Sequence, residues 1–350
     1  MLLLLACTSP SDTGKVDSPA VVEPPCAAIT GSASIAVVSR ADPSLIVSTT
    51  PPADGWEAPV GFAGPDKTGR YYLTELTGVV KRSDDGGCSW TEVGTLATAE
   101  GADTSDSGGN PWSWYTLSSS PYVDGVYAYE AGRVYSSPDG ATWTQRTVPE
   151  LYPATPIAVD PGNPLRLRAY AVDGIATSVD GGATWTTVPT PEIDGWFNIA
   201  IDATDIDRVA LGRDDLYVAT DGATWVERNP DMFGILAWDA GDLVSLRHGG
   251  QSDVLYHVRR STDLGVTFTE LPIDTDPYAS VDTFAADGGL VASAGYRYES
   301  GVSLAGLVQL TTTAGTTPHL VADYEGAVGI GMGEDRVVVA FAGPYVSVPD

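Results

Sequence analysis

One eight-residue segment, Ser178-Val179-Asp180-Gly181-Gly182-Ala183-Thr184-Trp185, constrains this chain more than any other feature, because it recurs. Full-length copies stand at Ser83–Trp90 and Ser261–Phe268, and copies one residue shorter at Ser137–Trp143 and Ala219–Trp225. A degenerate sixth, Thr311–Pro318, has Thr313 where the aspartate belongs. Short apolar, alternating runs flank each copy, so the octet reads as a hairpin turn. Its aspartates (Asp85, Asp139, Asp180, Asp221 and Asp263) are expected to accept bonds from the backbone N–H groups of their own loops. The glycine that follows supplies the positive φ of a tight reversal, and the final aromatic ring covers the hairpin. Such residues hold a fold in shape and are not aimed at a substrate.

The octets end at positions 90, 143, 185, 225, 268 and 318, with spacings of 53, 42, 40, 43 and 50. A repeat near that length made only of strands is the mark of a β-propeller blade. The third unit divides into four strands, Pro156–Asp160, Leu165–Val172, Ile175–Ser178 and Thr184–Pro189, with the octet between the last two. The predicted fold is therefore all-β, a seven-bladed propeller with about 46 residues per blade from Gly31 onward. Six blades with a terminal extension is the alternative. Ala327–Met332, Arg336–Ala342 and Tyr345–Val348 read as three strands of the last blade, stopping where its octet would begin. Ser32–Val37 is expected to complete that blade and remove the open edge. Leu45–Thr49 is a surplus strand without an assigned place.

The consensus Ser-x-Asp-x-Gly-x-Thr-Trp resembles the Asp-box, or bacterial neuraminidase, repeat, and its copies cover most of the chain beyond residue 80. Sialidases, sortilin-type receptors, endo-xyloglucanases and photosystem II assembly-factor propellers share it. The resemblance thus implies a propeller and leaves the activity open. A sialidase would need an Arg-Ile-Pro motif, whereas the nearest approach here is Arg40-Ala41-Asp42-Pro43. The endo-xyloglucanases use a cleft between two propellers, and this chain has length for one. His248, His257 and His319 give neither metal-ligand spacing nor a triad. No catalytic residue, cofactor or metal is assigned.

Leu4-Leu5-Ala6-Cys7 resembles a bacterial lipobox, which implies cleavage before Cys7 and a lipid on its thiol. Residues 1–7 lack a basic n-region and are shorter than a signal's apolar core, so the true start is expected further upstream. Residues 8–30 form a tether rich in Pro, Ser and Asp, with little to bury, and residues 31–350 the propeller. With Cys7 acylated, Cys26 and Cys88 remain as a disulfide pair or as two unpaired thiols. A bridge would place the domain in an oxidising compartment: the bacterial envelope, lipid-anchored, or the secreted medium. The net charge of −28, with 18 Lys and Arg, argues against nucleic-acid binding. No apolar run is long enough to span a bilayer, so the only membrane contact expected is the anchor.

In such a ring the octets mark one face, and the links between blades and the second-to-third-strand turns mark the other. Reading those segments gives candidate ligand contacts: Trp112, Trp114, Tyr152, Asp194, Trp196, Asp231, Phe233, Asp276 and Tyr278 in links, and Arg247, Arg297 and Glu299 in turns. Asp103–Asn110 offers oxygens for Ca²⁺ but lacks EF-hand spacing, so it is read as a solvated loop. Rings and carboxylates around one opening suit a glycan or a protein partner. The expectation is a monomeric, non-catalytic binding module, with a glycoside hydrolase acting at the central cleft as the alternative.

Overall fold

A computed structural model describes residues 26–32, 34–49, 59–75, 77–96, 116–130, 133–146, 151, 157–192, 198–212, 215–228, 234–248, 256–271, 279–299, 302–321 and 326–341. Their strands form seven antiparallel four-stranded sheets, six of them simple meanders from innermost to outermost strand. Blade one comprises Pro59–Ala63, Tyr71–Glu75, Val79–Ser83 and Thr91–Thr95, and blade two Thr116–Ser119, Val126–Glu130, Arg133–Ser137 and Thr144–Arg146. Blade three comprises Ala158–Asp160, Asn163–Ala171, Gly174–Ser178 and Thr186–Val188, within about three residues of the strands read from sequence. Blade four is Asn198–Ile201, Val209–Gly212, Leu216–Ala219 and Trp225–Glu227. Blade five is Gly234–Asp239, Asp242–His248, Tyr256–Ser261 and Thr269–Glu270. Blade six is the tallest: Ala279–Asp287, Leu290–Glu299, Val302–Thr312 and Gly315–Val321.

Blade seven closes the ring, and here the expected pairing needs correction. Its inner strands are Ala327–Met332 and Arg336–Phe341, and its outer strands Ile35–Ser39 and Ile46–Ser48. Each end of the chain supplies two strands, rather than three and one. The surplus strand is the outermost one, because a short turn, residues 40–45, brings it back onto Ile35–Ser39 at little loop-closure cost. Tyr345–Val348 lies outside the described residues. The turn of the N-terminal hairpin takes the octet's place: Asp42 Oδ1 accepts the Ser44 N–H at 3.0 Å and the Ser44 hydroxyl at 2.6 Å. The turn between the outer two strands of this blade is thus Ser39–Leu45, which is unrelated in sequence to the octet.

Seven apolar clusters hold the ring, one at each junction between blades. Ala36, Val38, Val337 and Phe341 meet Ala292, Val308 and Leu310 of blade six. Ile35, Val37, Val338 and Ala340 meet Phe62, Tyr71, Leu73 and Trp90 of blade one. The run Ile35-Ala36-Val37-Val38 is fully buried because alternate side chains serve opposite junctions. The remaining clusters follow the same scheme around the circle. Each buried Val, Leu, Ile or Phe contributes about 1.5–3 kcal/mol, so no single junction dominates.

The five good octets lie between third and fourth strands, as the spacing predicts. In Ser178–Trp185, Asp180 Oδ1 accepts the Thr184 N–H at 2.8 Å and Oδ2 the Thr184 hydroxyl at 2.6 Å. Ser178 donates to Asp180 at 2.9 Å and accepts the Gly182 N–H at 2.8 Å. Gly182 has φ 89°, and its carbonyl accepts the Trp185 indole N–H at 3.2 Å. Asp85, Asp139, Asp221 and Asp263 accept the corresponding backbone bonds. Leu264 takes a left-handed φ of 59° where the other full-length copies carry glycine. Its side chain packs on the blade four–five cluster, which offsets that cost. The degenerate copy contracts to a hairpin closed by Thr312 and Gly315, with Thr311 and Thr316 hydroxyls 2.9 Å apart in place of a carboxylate hub.

Candidate functional site

Antiparallel meanders put the first-to-second and third-to-fourth turns on one face, so the octets share it with a second set of carboxylates. Asp66, Asp202 and Asp239 stand just after their inner strands or at their ends and are almost wholly buried. Asp66 accepts Thr68 N–H, Arg70 N–H and the Tyr72 hydroxyl at 2.8, 3.0 and 2.8 Å, and the Gly125 N–H of blade two at 2.9 Å. Burial pushes its carboxyl upward, but these donors and the Thr68 hydroxyl outweigh it and hold the group below the usual carboxylate range. Asp239 accepts the Gly288 and Gly289 N–H groups of blade six at 2.8 and 2.9 Å and pairs with Arg260 at 2.5 Å.

Arginines complete the stitching. Arg40 of blade seven pairs with Asp287 of blade six, Arg166 of blade three bridges Asp160 and Asp207, and Arg82 of blade one donates to the Asp139 carbonyl of blade two. Buried Arg168 donates to the Ile206 carbonyl at 2.6 Å. It lies so close under the fourth octet that a Cβ on Gly222 would fall 1.9 Å from its Nη1. On the octet face the ring itself engages these charged side chains.

The opposite face shows one acid that the sequence reading missed. The inner strands of blades six, seven and one each carry a bulge near the end where the chain enters from the preceding blade, leaving Asp282, Val328 and Val60 without a cross-strand partner. Val60 and Val328 sink into junction clusters, but Asp282 puts a carboxylate at the same place. It accepts the Ala327 N–H of blade seven at 2.9 Å and remains in contact with water. Desolvation by the surrounding strands raises its pKa. Bulges often re-aim side chains beside sites, and a carboxyl with a raised pKa is a common feature of such places. Its structural duty is a stitch between inner strands, like Ser118 to Ile157 N–H at 2.8 Å and Asn198 to the Gly234 carbonyl at 3.0 Å. Superposing the repeat's inner strands would have exposed it, since Val60-Gly61 and Val328-Gly329 align with Asp282-Thr283.

Of the residues singled out from sequence, Trp112, Trp114, Tyr152, Asp194, Trp196, Asp231, Phe233, Asp276 and Tyr278 lie outside the described residues, as does Cys7. Arg247 and Arg297 hold corresponding register positions in adjacent blades, opposite Gly234 and Ala279, the first residues of their inner strands. Glu299 ends the second strand of blade six, on the same face. His257 pairs with Glu270, and His319 sits in the outermost strand of blade six, where burial lowers its pKa. Among the described residues, no three His, Cys, Asp or Glu side chains cluster as metal ligands would. Cys26 and Cys88, for which a disulfide pair or two thiols were both open, stand next to each other with their sulfurs in hydrogen-bond contact.

No protein-family model matches this chain, and no curated protein matches it. Solved structures do. A catalytically inactive virginiamycin B lyase from Staphylococcus aureus, solved with quinupristin, superposes with TM-score 0.56 at 16% identity, covering 83% of this chain and 97% of that one. YCF48 from Cyanidioschyzon merolae gives 0.57 at 14% identity, covering 83% and 95%. An ancestral GH74 enzyme gives 0.51 at 12% identity, covering 85% of this chain and 49% of its own. At these identities the likeness is one of fold: this chain is a seven-bladed β-propeller.

Proposed function

We propose that this propeller is a non-catalytic binding module that takes a glycan or protein at the mouth of its central channel, on the face opposite the octets. The observation that carries this reading is the division of charged groups between faces. Aspartates and arginines on the octet side are already engaged in turns and blade junctions. Arg247, Arg297 and Glu299 hold positions on the other face, near the end of the channel where Asp282 lies. We further infer, from the lipobox and tether alone, that the module works outside the cytoplasm on a lipid at Cys7.

The second reading, a glycoside hydrolase, draws support from Asp282, whose raised carboxyl suits a general acid. Screening the full chain on a glycan array and against a panel of glycosides separates the two. Binding without turnover supports the module. Turnover abolished by Asp282→Asn establishes the hydrolase instead. Asp282→Asn has an independent expected outcome in stability. A raised folded-state pKa favours the fold at low pH, and that benefit disappears as pH rises through the raised value. The variant should therefore melt slightly above wild type at neutral pH, with the gap closing below the ordinary value of 3.8. Calorimetry across that range checks it.

A further inference from the structure

We propose that Cys26 and Cys88 form a disulfide that latches the N-terminal segment onto blade one and so shields the ring-closing strand behind it. The two thiols are already in contact, and the Nη1 of Arg336, from blade seven, lies 3.6 Å from Cys88 Sγ. The backbone around them is paired in advance. Thr30 N–H donates to the Cys88 carbonyl at 3.0 Å, Trp90 N–H donates to the Thr30 carbonyl at 2.9 Å, and Thr30 bridges Ser89 in parallel. Cys26 packs at the edge of the cluster joining blades seven and one, where burial pushes its thiol up to about 12. The latch thus sits where the incoming chain, the first octet and the C-terminal half of the closing blade meet.

Its position gives it a purpose that an ordinary staple would lack. Pairing of Ile35–Ser39 with Arg336–Phe341 joins the N-terminal hairpin to the C-terminal strands and thereby closes the circle. A strand near a chain end frays from that end, and fraying here would open the whole ring. A covalent bond at Cys26, upstream of that strand, stops fraying or pulling on residues 1–25 before it reaches the closure. The chemistry is thiol–disulfide exchange with an external disulfide oxidant. One thiolate of the pair attacks the oxidant, releasing its first thiol, and the second thiolate displaces the remaining one. Two S–H bonds break, one protein S–S bond forms, and the two electrons reduce the oxidant's disulfide to two thiols.

The full chain equilibrated with oxidised glutathione and digested without reduction should yield one linked peptide pair, Cys26 with Cys88. Hydrogen exchange with and without reductant then tests the role. Reduction should speed exchange of Ile35–Ser39 and Ile46–Ser48 by roughly tenfold or more, while blades three to five keep their rates. Cys26→Ser should reproduce the reduced pattern, and if that variant fails to fold, reduction of the native chain still decides. Thiols that stay free in folded protein, a bridge to Cys7 instead, or exchange that changes equally in every blade would overturn the proposal.

Discussion

Two rings of aspartates share one face of this propeller, and they do different jobs. The octet aspartates are exposed and bonded within their own loops, as Asp180 is to Ser178 and Thr184. Asp66, Asp202 and Asp239, at first-to-second-strand turns, are buried, and two of them reach into the next blade, as Asp66 does to Gly125 and Asp239 to Gly288 and Gly289. The first set shapes hairpins, while the second joins blades. Regular motifs come from local bonds, because each copy meets the same neighbours within a few residues. Cross-blade bonds meet a different partner at every junction, so no common spelling can serve them all.

The sharpest way to break this comparison is to remove one aspartate from each set. Asp239→Ala leaves Arg260 and two backbone N–H groups without their buried partner and should cost ~3–5 kcal/mol, read as a lower denaturation midpoint. Asp180→Ala should lower the melting temperature by only a few degrees, because water can replace the carboxylate at an exposed loop. Equal losses for the two would show that burial and cross-blade reach do not set their worth.

Acid titration sharpens the contrast. The Thr184 hydroxyl and backbone N–H hold Asp180 at about 2, and the Thr224 and Thr267 N–H groups do the same for Asp221 and Asp263. A depressed carboxyl stabilises the fold above its ordinary value of 3.8, and the benefit is lost as pH falls through about 2. Melting temperature should drop across that window, and less steeply when all three residues are changed to asparagine. An unchanged slope would remove the octets from the acid response. The smallest effect concerns the turn after Asp239, where Ala240 and Gly241 have φ of 48° and 97°. Asparagine tolerates the left-handed region better than alanine, so Ala240→Asn should gain about 0.5–1 kcal/mol in chemical denaturation.

Much of the architecture was legible before any coordinates. Five octets placed the third-to-fourth-strand turns, and their spacing led to seven blades. The reading failed where partners are distant. Ile46–Ser48 could not be placed, because an isolated apolar triplet does not announce which strand it pairs with. Asp282 escaped because it lies inside a strand, at a bulge that only the register reveals. The chosen link residues fall outside the described portion, so for the candidate site the structure adds one acid and the register of Arg247 and Arg297.

What the sequence determined by itself is whatever is settled within a single loop: the turn chemistry, the repeat length, and hence a closed circle of antiparallel blades. Tertiary structure alone decided how the circle is fastened, two strands from each end, and which charged groups hold neighbouring blades together. The physical reason is range. A carboxylate bonded four residues away carries its partner with it in the chain, whereas one bonded fifty residues away acquires its partner only when the blades pack.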